Sequence, residues 1–212
     1  PLAIKAMKVG LDEGLEKGLE AEIDAFTELA CGSVSKNLIS LYFTREMASQ
    51  TALRATKKFK PPATIAIIGS GYMGTGIAEI ASQAGIKVML QGSSPEKTRE
   101  IIDGLNEKLD KKSIDNPIST VTDEEQLKDA DLVIESITED LDKKQEVFES
   151  LNGCLKDDCI VVTNTSSIPI KELAGFYKKP EKVLGMHFFA PVHLMPLVEL
   201  VTHDKTGKDT VN

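Results

Sequence analysis

The sequence predicts an α/β fold with a doubly wound, mostly parallel sheet, preceded by a short all-helical segment. From residue 63 onward, short apolar runs typical of buried strands alternate with amphipathic helical patterns. In residues 1–56 the apolar side chains follow helical spacing only. A glycine-rich turn lies between the first strand and the first helix of the alternating part. Together these observations favour a Rossmann-type fold.

The helical segment carries two amphipathic patterns. The first covers residues 1–30, and its three glycines, Gly10, Gly14 and Gly18, are predicted to bend the helix or to let it lie close to a neighbour. The second pattern follows Gly32, which can end the first helix. Two such helices alone bury little apolar surface. They are therefore expected to belong to something larger, either a further domain or the surface of the α/β part.

A basic stretch that ends in two prolines, residues 57–62, follows the second helix. Proline cannot continue a helix and favours an extended connection, so this stretch is predicted to be a linker. The expected domains are a helical tail over residues 1–56 and an α/β domain over residues 63–212.

The α/β part begins with a strand, a glycine turn and a helix in immediate succession. Thr64–Ile68 is a short apolar run of the kind buried on both faces of a parallel sheet. Gly69, Gly71 and Gly74 then give the G-x-G-x-x-G spacing, in which the second glycine lets a pyrophosphate approach the backbone. A second strand, Lys87–Leu90, follows at the distance that a βαβ unit requires. This stretch predicts a dinucleotide-binding site at the helix N-terminus.

The remaining elements alternate along the chain. Helices are predicted over 94–109, from 123, over 142–155 and over 171–176, and strands over 118–121, 131–135, 160–163, 183–188 and 197–202.

Composition indicates a small-molecule partner. The net charge of −8 argues against a nucleic-acid or anionic membrane surface, and no apolar run is long enough to cross a membrane. Cys31, Cys154 and Cys159 have no metal-ligand spacing, so no metal site is predicted and reduced thiols are expected. A redox pair of Cys154 and Cys159 is the alternative.

His187 is the strongest candidate for acid/base chemistry among the three histidines. It lies where a predicted strand runs into a proline-containing bend, and ligands of such sheets bind beyond the carboxyl ends of the strands. Glu199 could orient it. A buried histidine without a role and an exposed strand glutamate are the alternatives. The hydroxyls within the stretch 164–167 could bind a substrate oxygen or, instead, cap a helix.

Four motifs give the chain a family resemblance. It resembles the nicotinamide-binding domain of the L-3-hydroxyacyl-CoA dehydrogenases over residues 63–212, and the helices before Thr56 resemble the C-terminal tail of an enoyl-CoA hydratase domain. The peroxisomal bifunctional type of β-oxidation enzyme is the most similar. The motifs are GSGYMGTGIA, VIESITEDLDKKQEVF, TNTSSIPI and GMHFFAPVHLMPLVEL.

The resemblance implies an NAD-dependent oxidoreductase that interconverts L-3-hydroxyacyl-CoA and 3-ketoacyl-CoA. It assigns His187 as the general base, Glu199 as its carboxylate partner and Ser166 as the hydroxyl that holds the substrate oxygen. Its implied partners are an acyl-CoA substrate, hydratase and C-terminal dehydrogenase domains of the same chain, and a second copy in a homodimer. Without those domains, we expect no hydratase activity and little dehydrogenase activity. The implied location is peroxisomal, with mitochondrial or cytoplasmic as alternatives. The implied cofactor residues are Gly69, Gly71, Tyr72, Met73, Gly74, Gly92, Glu139, Lys144 and Asn164.

Two residues depart from the family pattern. Gly92 stands where an acidic residue normally binds the adenosine ribose, and Ala190 replaces the usual asparagine of the HFFNP motif. We therefore expect NAD(H) to bind weakly. We also expect poor discrimination against NADP(H), because small residues with basic neighbours, here Lys97 and Arg99, accommodate a 2′-phosphate. A degenerate homologue that binds CoA esters or partners without turnover is one alternative function. Another is a different Rossmann oxidoreductase of a small hydroxy acid.

Overall fold

The computed structural model describes residues 1–58 and 61–211. The chain divides into two compact units, Pro1–Lys60 and Pro61–Asn212. Of the predicted linker 57–62, residues 59–60 lie outside the described residues. None of the helices within the described ranges combines the length and the apolar composition that a membrane-spanning helix requires.

The first unit contains three helices, where the sequence predicted two. The prediction of a single helix over residues 1–30 is wrong. Gly14 adopts a φ of 99°, in the left-handed region, and separates two helices. Gly10 and Gly18 lie in contact: a Cβ on Gly18 would be 2.6 Å from the Gly10 Cα. Ala6 is the one buried side chain among residues 1–50. The helices are α1 (Leu2–Glu13), α2 (Leu15–Cys31) and α3 (Ser33–Lys58).

The second unit is a seven-stranded sheet with helices between the strands. The strand order is β3-β2-β1-β4-β5-β6-β7, and all neighbours are parallel except β6 and β7. This confirms the predicted doubly wound fold, whose order reverses between β1 and β4. The elements are β1 (Thr64–Ile68), α4 (Tyr72–Gln83), β2 (Lys87–Gln91), α5 (Pro95–Lys111), β3 (Ser119–Thr120), β4 (Leu132–Glu135), α6 (Leu141–Ser150), β5 (Ile160–Thr163), α7 (Ile170–Ala174), β6 (Val183–Phe188), β7 (Val198–Val201) and α8 (Lys208–Val211).

Alternate residues of the central strands pack on opposite faces of the sheet, as the two-residue period of a strand requires. Ile65 and Ile67 of β1 belong to the core beneath α4 and α5. Ala66 of β1 belongs to the core on the other face, together with Phe148 of α6. Both faces are therefore covered, which explains why these strands are almost continuously apolar.

Some element ends differ from the prediction. The helix expected over 142–155 ends at Ser150, because a turn follows in which Gly153 adopts a φ of 111°. The strand expected over 118–121 pairs only at Ser119 and Thr120. Helix α8 and a short 3₁₀ helix at Pro180–Lys182 were not predicted.

Candidate active site

A cleft of about 930 Å³ opens at the carboxyl ends of β1, β2, β4 and β5. It lies where the strand order reverses, the usual position of a ligand site in such sheets. The glycine turn forms one wall, and the loops after β4 and β5 form the other. The lining includes Gly69–Met73, Gln91–Ser93, Ser136–Glu139, Asn164 and Ser166.

The three glycines of the turn serve different purposes. Gly69 has a φ of 121°, and a Cβ there would lie 2.3 Å from the Ser136 carbonyl oxygen. A Cβ on Gly74 would lie 1.8 Å from the Gly69 carbonyl oxygen, so helix and turn pack in contact. At Gly71, by contrast, no atom lies within 4 Å of an added Cβ. The open space over Gly71, at the N-terminus of α4, fits the pyrophosphate of a dinucleotide.

Gly92 follows β2 and is a glycine for a steric reason. A Cβ there would lie 2.2 Å from the Thr98 Oγ1 and 2.3 Å from the Ser70 Oγ, and both hydroxyls fill the place of a side chain. Lys97 and Arg99 are exposed on α5 and do not line the cleft. The end of β2 therefore offers the cleft uncharged groups.

His187, Glu199 and Ser166 are brought together, as the sequence predicted. In the antiparallel pair of β6 and β7, His187 lies directly opposite Glu199, and its Nδ1 is 2.9 Å from the Glu199 Oε2. The Nε2 of His187 lies 3.4 Å from the Ser166 Oγ. The ring of Phe189 packs on the imidazole at a centroid distance of 4.8 Å. The imidazole is thus held by a carboxylate on one side and faces a hydroxyl on the other.

Glu139 binds the loop that carries Ser166. Its Oε1 accepts hydrogen bonds from the Thr165 hydroxyl, the Ser166 N–H, and both the N–H and the hydroxyl of Ser167, at 2.6 to 3.0 Å. Burial acts to raise the pKa of this carboxyl, but the hydrogen bonds from Thr165, Ser167 and Ser166 outweigh it and lower the pKa from 4.5 to about 2. Glu139 is therefore a carboxylate that lines the cleft.

Lys144, predicted near the cofactor, does not line the cleft. Its side chain is 1% exposed, and its Nζ lies 2.6 Å from the Glu135 Oε1 and 3.5 Å from the Glu139 Oε2. The position on α6 points toward the sheet, so a charged side chain there must pair with a buried carboxylate. Lys144 reaches the cleft only through Glu139, whereas its neighbour Lys143 lines the cleft directly.

Asn164 joins the cleft to β6. Its Oδ1 accepts a hydrogen bond from the Phe188 N–H at 2.8 Å, and its Nδ2 donates to the Ser136 Oγ at 3.4 Å. The same residue lines the cleft. The amide therefore fixes the strand beside the His187 imidazole relative to the dinucleotide site.

A profile of the family described as "3-hydroxyacyl-CoA dehydrogenase, NAD binding domain" matches residues 64–212. The chain belongs to this family. It is similar to the fatty acid oxidation complex subunit alpha of Shewanella baltica, with 33% identity over 222 residues that cover 98% of this chain and 31% of the relative. The chain thus spans about a third of the length of the curated relatives that it matches.

The fold of this chain is similar to solved structures of 3-hydroxybutyryl-CoA dehydrogenases. The 3-hydroxybutyryl-CoA dehydrogenase of Escherichia coli is 37% identical, with a TM-score of 0.66 over 72% of this chain and 35% of that one. The (S)-3-hydroxybutyryl-CoA dehydrogenase of Ralstonia eutropha is 31% identical, with a TM-score of 0.65 over 71% of this chain and 57% of that one. With sequence identities of 37% and 31%, both proteins resemble this chain in sequence as well as in fold.

Sequence reasoning missed two residues behind the site, Glu135 and Thr163. Both are fully buried polar residues at the ends of their strands. The available signal was the alternation along the strands: each lies two residues after a core valine, Val133 or Val161, and hence on the same face of the sheet.

Proposed function

We propose that the protein is an NAD-dependent L-3-hydroxyacyl-CoA dehydrogenase of fatty-acid β-oxidation, which interconverts 3-hydroxyacyl-CoA and 3-ketoacyl-CoA. The observation that carries this proposal is the His187–Glu199 pair, with the Ser166 hydroxyl 3.4 Å from the imidazole, at the edge of a dinucleotide-shaped cleft. The family description and the names of the relatives support the substrate class and the cofactor.

The geometry supports a base mechanism at the Nε2 of His187. When Nδ1 carries the proton and donates it to Glu199, Nε2 is free to accept the proton of a substrate hydroxyl. Glu199 then faces the imidazolium that forms and offsets its charge. The Ser166 hydroxyl lies beside Nε2, where it donates to the same substrate oxygen as that oxygen gains carbonyl character. Bound NAD supplies the acceptor for the hydride that leaves the substrate carbon.

The cleft residues divide the binding of NAD among them. The backbone at Gly71 and the N-terminus of α4 would hold the pyrophosphate, while Tyr72 and Met73 line the adjacent wall of the cleft. Glu139 lies at the end of the cleft nearest Ser166. Its negative charge would favour the positively charged oxidised form of a nicotinamide bound there over the neutral reduced form.

The proposal also covers the helical unit and the domains expected in the full protein. We infer that α1–α3 are the tail of a hydratase-like domain. The similarity to the fatty acid oxidation complex subunit alpha supports this, since the match covers 98% of this chain. Further domains of the same chain and a homodimer are the proposed partners. The peroxisomal location stays a prediction, and the bacterial relatives named above do not support it.

Steady-state turnover of an L-3-hydroxyacyl-CoA with NAD, followed by absorbance of NADH, tests the function in the full protein. We expect turnover, and we expect His187→Ala to lower kcat about 10²- to 10⁴-fold with little change in NADH affinity. Binding of the CoA ester with impaired NADH binding and no turnover would favour the degenerate homologue, which Gly92 and Ala190 suggest. Turnover of small hydroxy acids in preference to the CoA ester would favour a different oxidoreductase.

A further inference from the structure

A buried polar network lies behind the loop that carries Ser166. This loop, residues 164–169, connects β5 to α7 and is called the β5–α7 loop below. The side chains of Glu135, Lys144 and Thr163 are each no more than 1% exposed, and Thr165 is 7% exposed. The mechanism proposed above uses none of these four side chains directly.

The sheet register brings two of these residues together. Glu135 ends β4, Thr163 ends β5, and the two are paired in the parallel ladder, so their side chains lie next to each other on the same face. The Thr163 hydroxyl donates to the Glu135 Oε2 at 2.6 Å. Because its only proton is used in this way, its oxygen is free to accept the Thr165 N–H, which lies at 3.2 Å. These two hydrogen bonds form a relay from Glu135 through the Thr163 hydroxyl to the loop backbone, and Glu135 fixes the direction in which the hydroxyl donates.

Lys144 connects the same carboxylate to the other side of the loop. Its Nζ contacts the Glu135 Oε1 at 2.6 Å and the Glu139 Oε2 at 3.5 Å. Glu139 holds the loop with its other oxygen, Oε1, which accepts the Ser166 N–H and three further hydrogen bonds. The N–H groups of Thr165 and Ser166 thus donate to two different residues, Thr163 and Glu139. Thr163 contacts Glu135 directly, and Glu139 is connected to it through Lys144.

Stability alone does not account for such a network. Burying a lysine and a glutamate removes both charges from water, and a well-packed apolar pair of similar volume is often at least as stable. The directional hydrogen bonds do what apolar packing cannot, because they fix the orientation of backbone and hydroxyl groups. We infer that Glu135 and Thr163 are positioning residues: they hold the β5–α7 loop so that the Ser166 hydroxyl faces the catalytic imidazole. The inference rests on the proposed dehydrogenase function for its consequence in turnover, but not for its consequence in loop geometry.

The test compares Thr163→Val with Thr163→Ser. Valine keeps the branched shape that suits a strand but removes the relay, whereas serine keeps the hydroxyl. For Thr163→Val we expect kcat per folded molecule to fall about ten- to a hundred-fold, since small misplacements of reacting groups have effects of this size. The KM for NAD and the pH at which kcat is half-maximal should not change, because the glycine turn and the His187–Glu199 pair are untouched. Thr163→Ser should recover most of the loss.

Val162→Ala provides the matched control. Val162 is a fully buried neighbour on β5 whose side chain packs on the opposite face of the sheet. This variant loses stability through a core cavity, but it should keep its kcat per folded molecule. If Val162→Ala lowers kcat as much as Thr163→Val does, or if Thr163→Val keeps kcat within about threefold of wild type, the positioning role is wrong.

Amide hydrogen exchange tests the loop independently of turnover. In Thr163→Val the Thr165 amide should exchange about tenfold faster, the effect of one lost hydrogen bond, while amides in α4 should not change. Unchanged exchange at the loop would overturn the inference. If the wild-type protein binds NADH but shows no turnover, the proposed function fails, and the exchange measurement alone decides the positioning role.

Discussion

The end of β2 determines how the cleft holds the adenosine ribose of a dinucleotide. An acidic residue at this position normally binds the ribose hydroxyls and repels a 2′-phosphate. Here Gly92 stands at the position, and the hydroxyls of Ser70 and Thr98 lie 2.3 and 2.2 Å from where its Cβ would be. Adding a carboxylate here requires both hydroxyls to move, because they occupy the space of its first carbon. We therefore expect weak NADH binding with poor discrimination against NADPH.

The informative perturbation changes three residues together. Ser70→Gly removes both the Oγ and the Cβ, the latter 3.0 Å from an added Cβ, and Thr98→Ala removes the Oγ1. With this space cleared, Gly92→Asp can place a carboxylate at the ribose. A charge-assisted hydrogen bond contributes about 1.5 to 3 kcal/mol, so the triple variant should bind NADH about ten- to a hundred-fold more tightly than its control. NADPH binding should weaken, because the new charge repels the 2′-phosphate.

Titration of intrinsic NADH and NADPH fluorescence measures both affinities on the 212-residue chain itself. The matched control is Ser70→Gly/Thr98→Ala, which has the cleared space but no carboxylate. Gly92→Asp alone should lose stability without gaining affinity, since its Cβ overlaps two hydroxyls. The reasoning is refuted if wild type binds NADH tightly and excludes NADPH, or if the triple variant binds NADH no more tightly than the double control.

Three further outcomes follow from the site. Gly71→Ala should keep the wild-type melting temperature yet lose dinucleotide binding in a fluorescence titration, whereas Gly74→Ala should unfold at lower temperature, because its Cβ would lie 1.8 Å from a carbonyl oxygen. The Glu139 carboxyl has a pKa lowered from 4.5 to about 2, so its contribution to stability is present above pH 4.5 and is lost as the pH falls toward 2. The difference in urea midpoint between wild type and Glu139→Gln should therefore shrink over that range, and a constant difference would contradict the assigned pKa. Glu199→Gln should lower kcat less than His187→Ala and shift the pH profile of kcat, because glutamine cannot offset the charge of the imidazolium; an unchanged profile would make Glu199 structural.

The parts of the site that sequence predicted are those set by short stretches of chain. The glycine turn is one continuous stretch, and each of its three glycines has a steric or binding reason that spacing alone conveys. His187 and Glu199 are only twelve residues apart on adjacent antiparallel strands, so their pairing could be proposed from a bend between them. Gly92 was recognised as a departure from the family pattern, but its cause was not, because Ser70 lies on the loop after a different strand.

The parts that sequence did not predict depend on register between strands that are distant in the chain. Glu135 and Thr163 are 28 residues apart, and their contact exists only because β4 and β5 pair in parallel with those two residues opposite each other. Lys144 was predicted to be near the cofactor from its motif position. Its burial could not be read from a charged helical pattern, since only the packed sheet shows which side of α6 faces inward.

The register also explains why these groups form one site instead of several. Across the carboxyl edge of the sheet, Glu135 of β4 pairs with Thr163 of β5, and Thr163 pairs with Gly185 of β6. His187 lies two residues beyond Gly185 on the same strand and therefore on the same face, where Glu199 of β7 meets it. Four adjacent strands thus contribute one polar residue each to a row on this face, namely Glu135, Thr163, His187 and Glu199, and the β5–α7 loop contacts Thr163 and His187. A shift of one residue in the pairing of β5 would turn Thr163 to the opposite face and break the row at its centre. The pairing of β5 with β4 and β6 therefore determines the geometry of this site as firmly as the polar residues that end the strands.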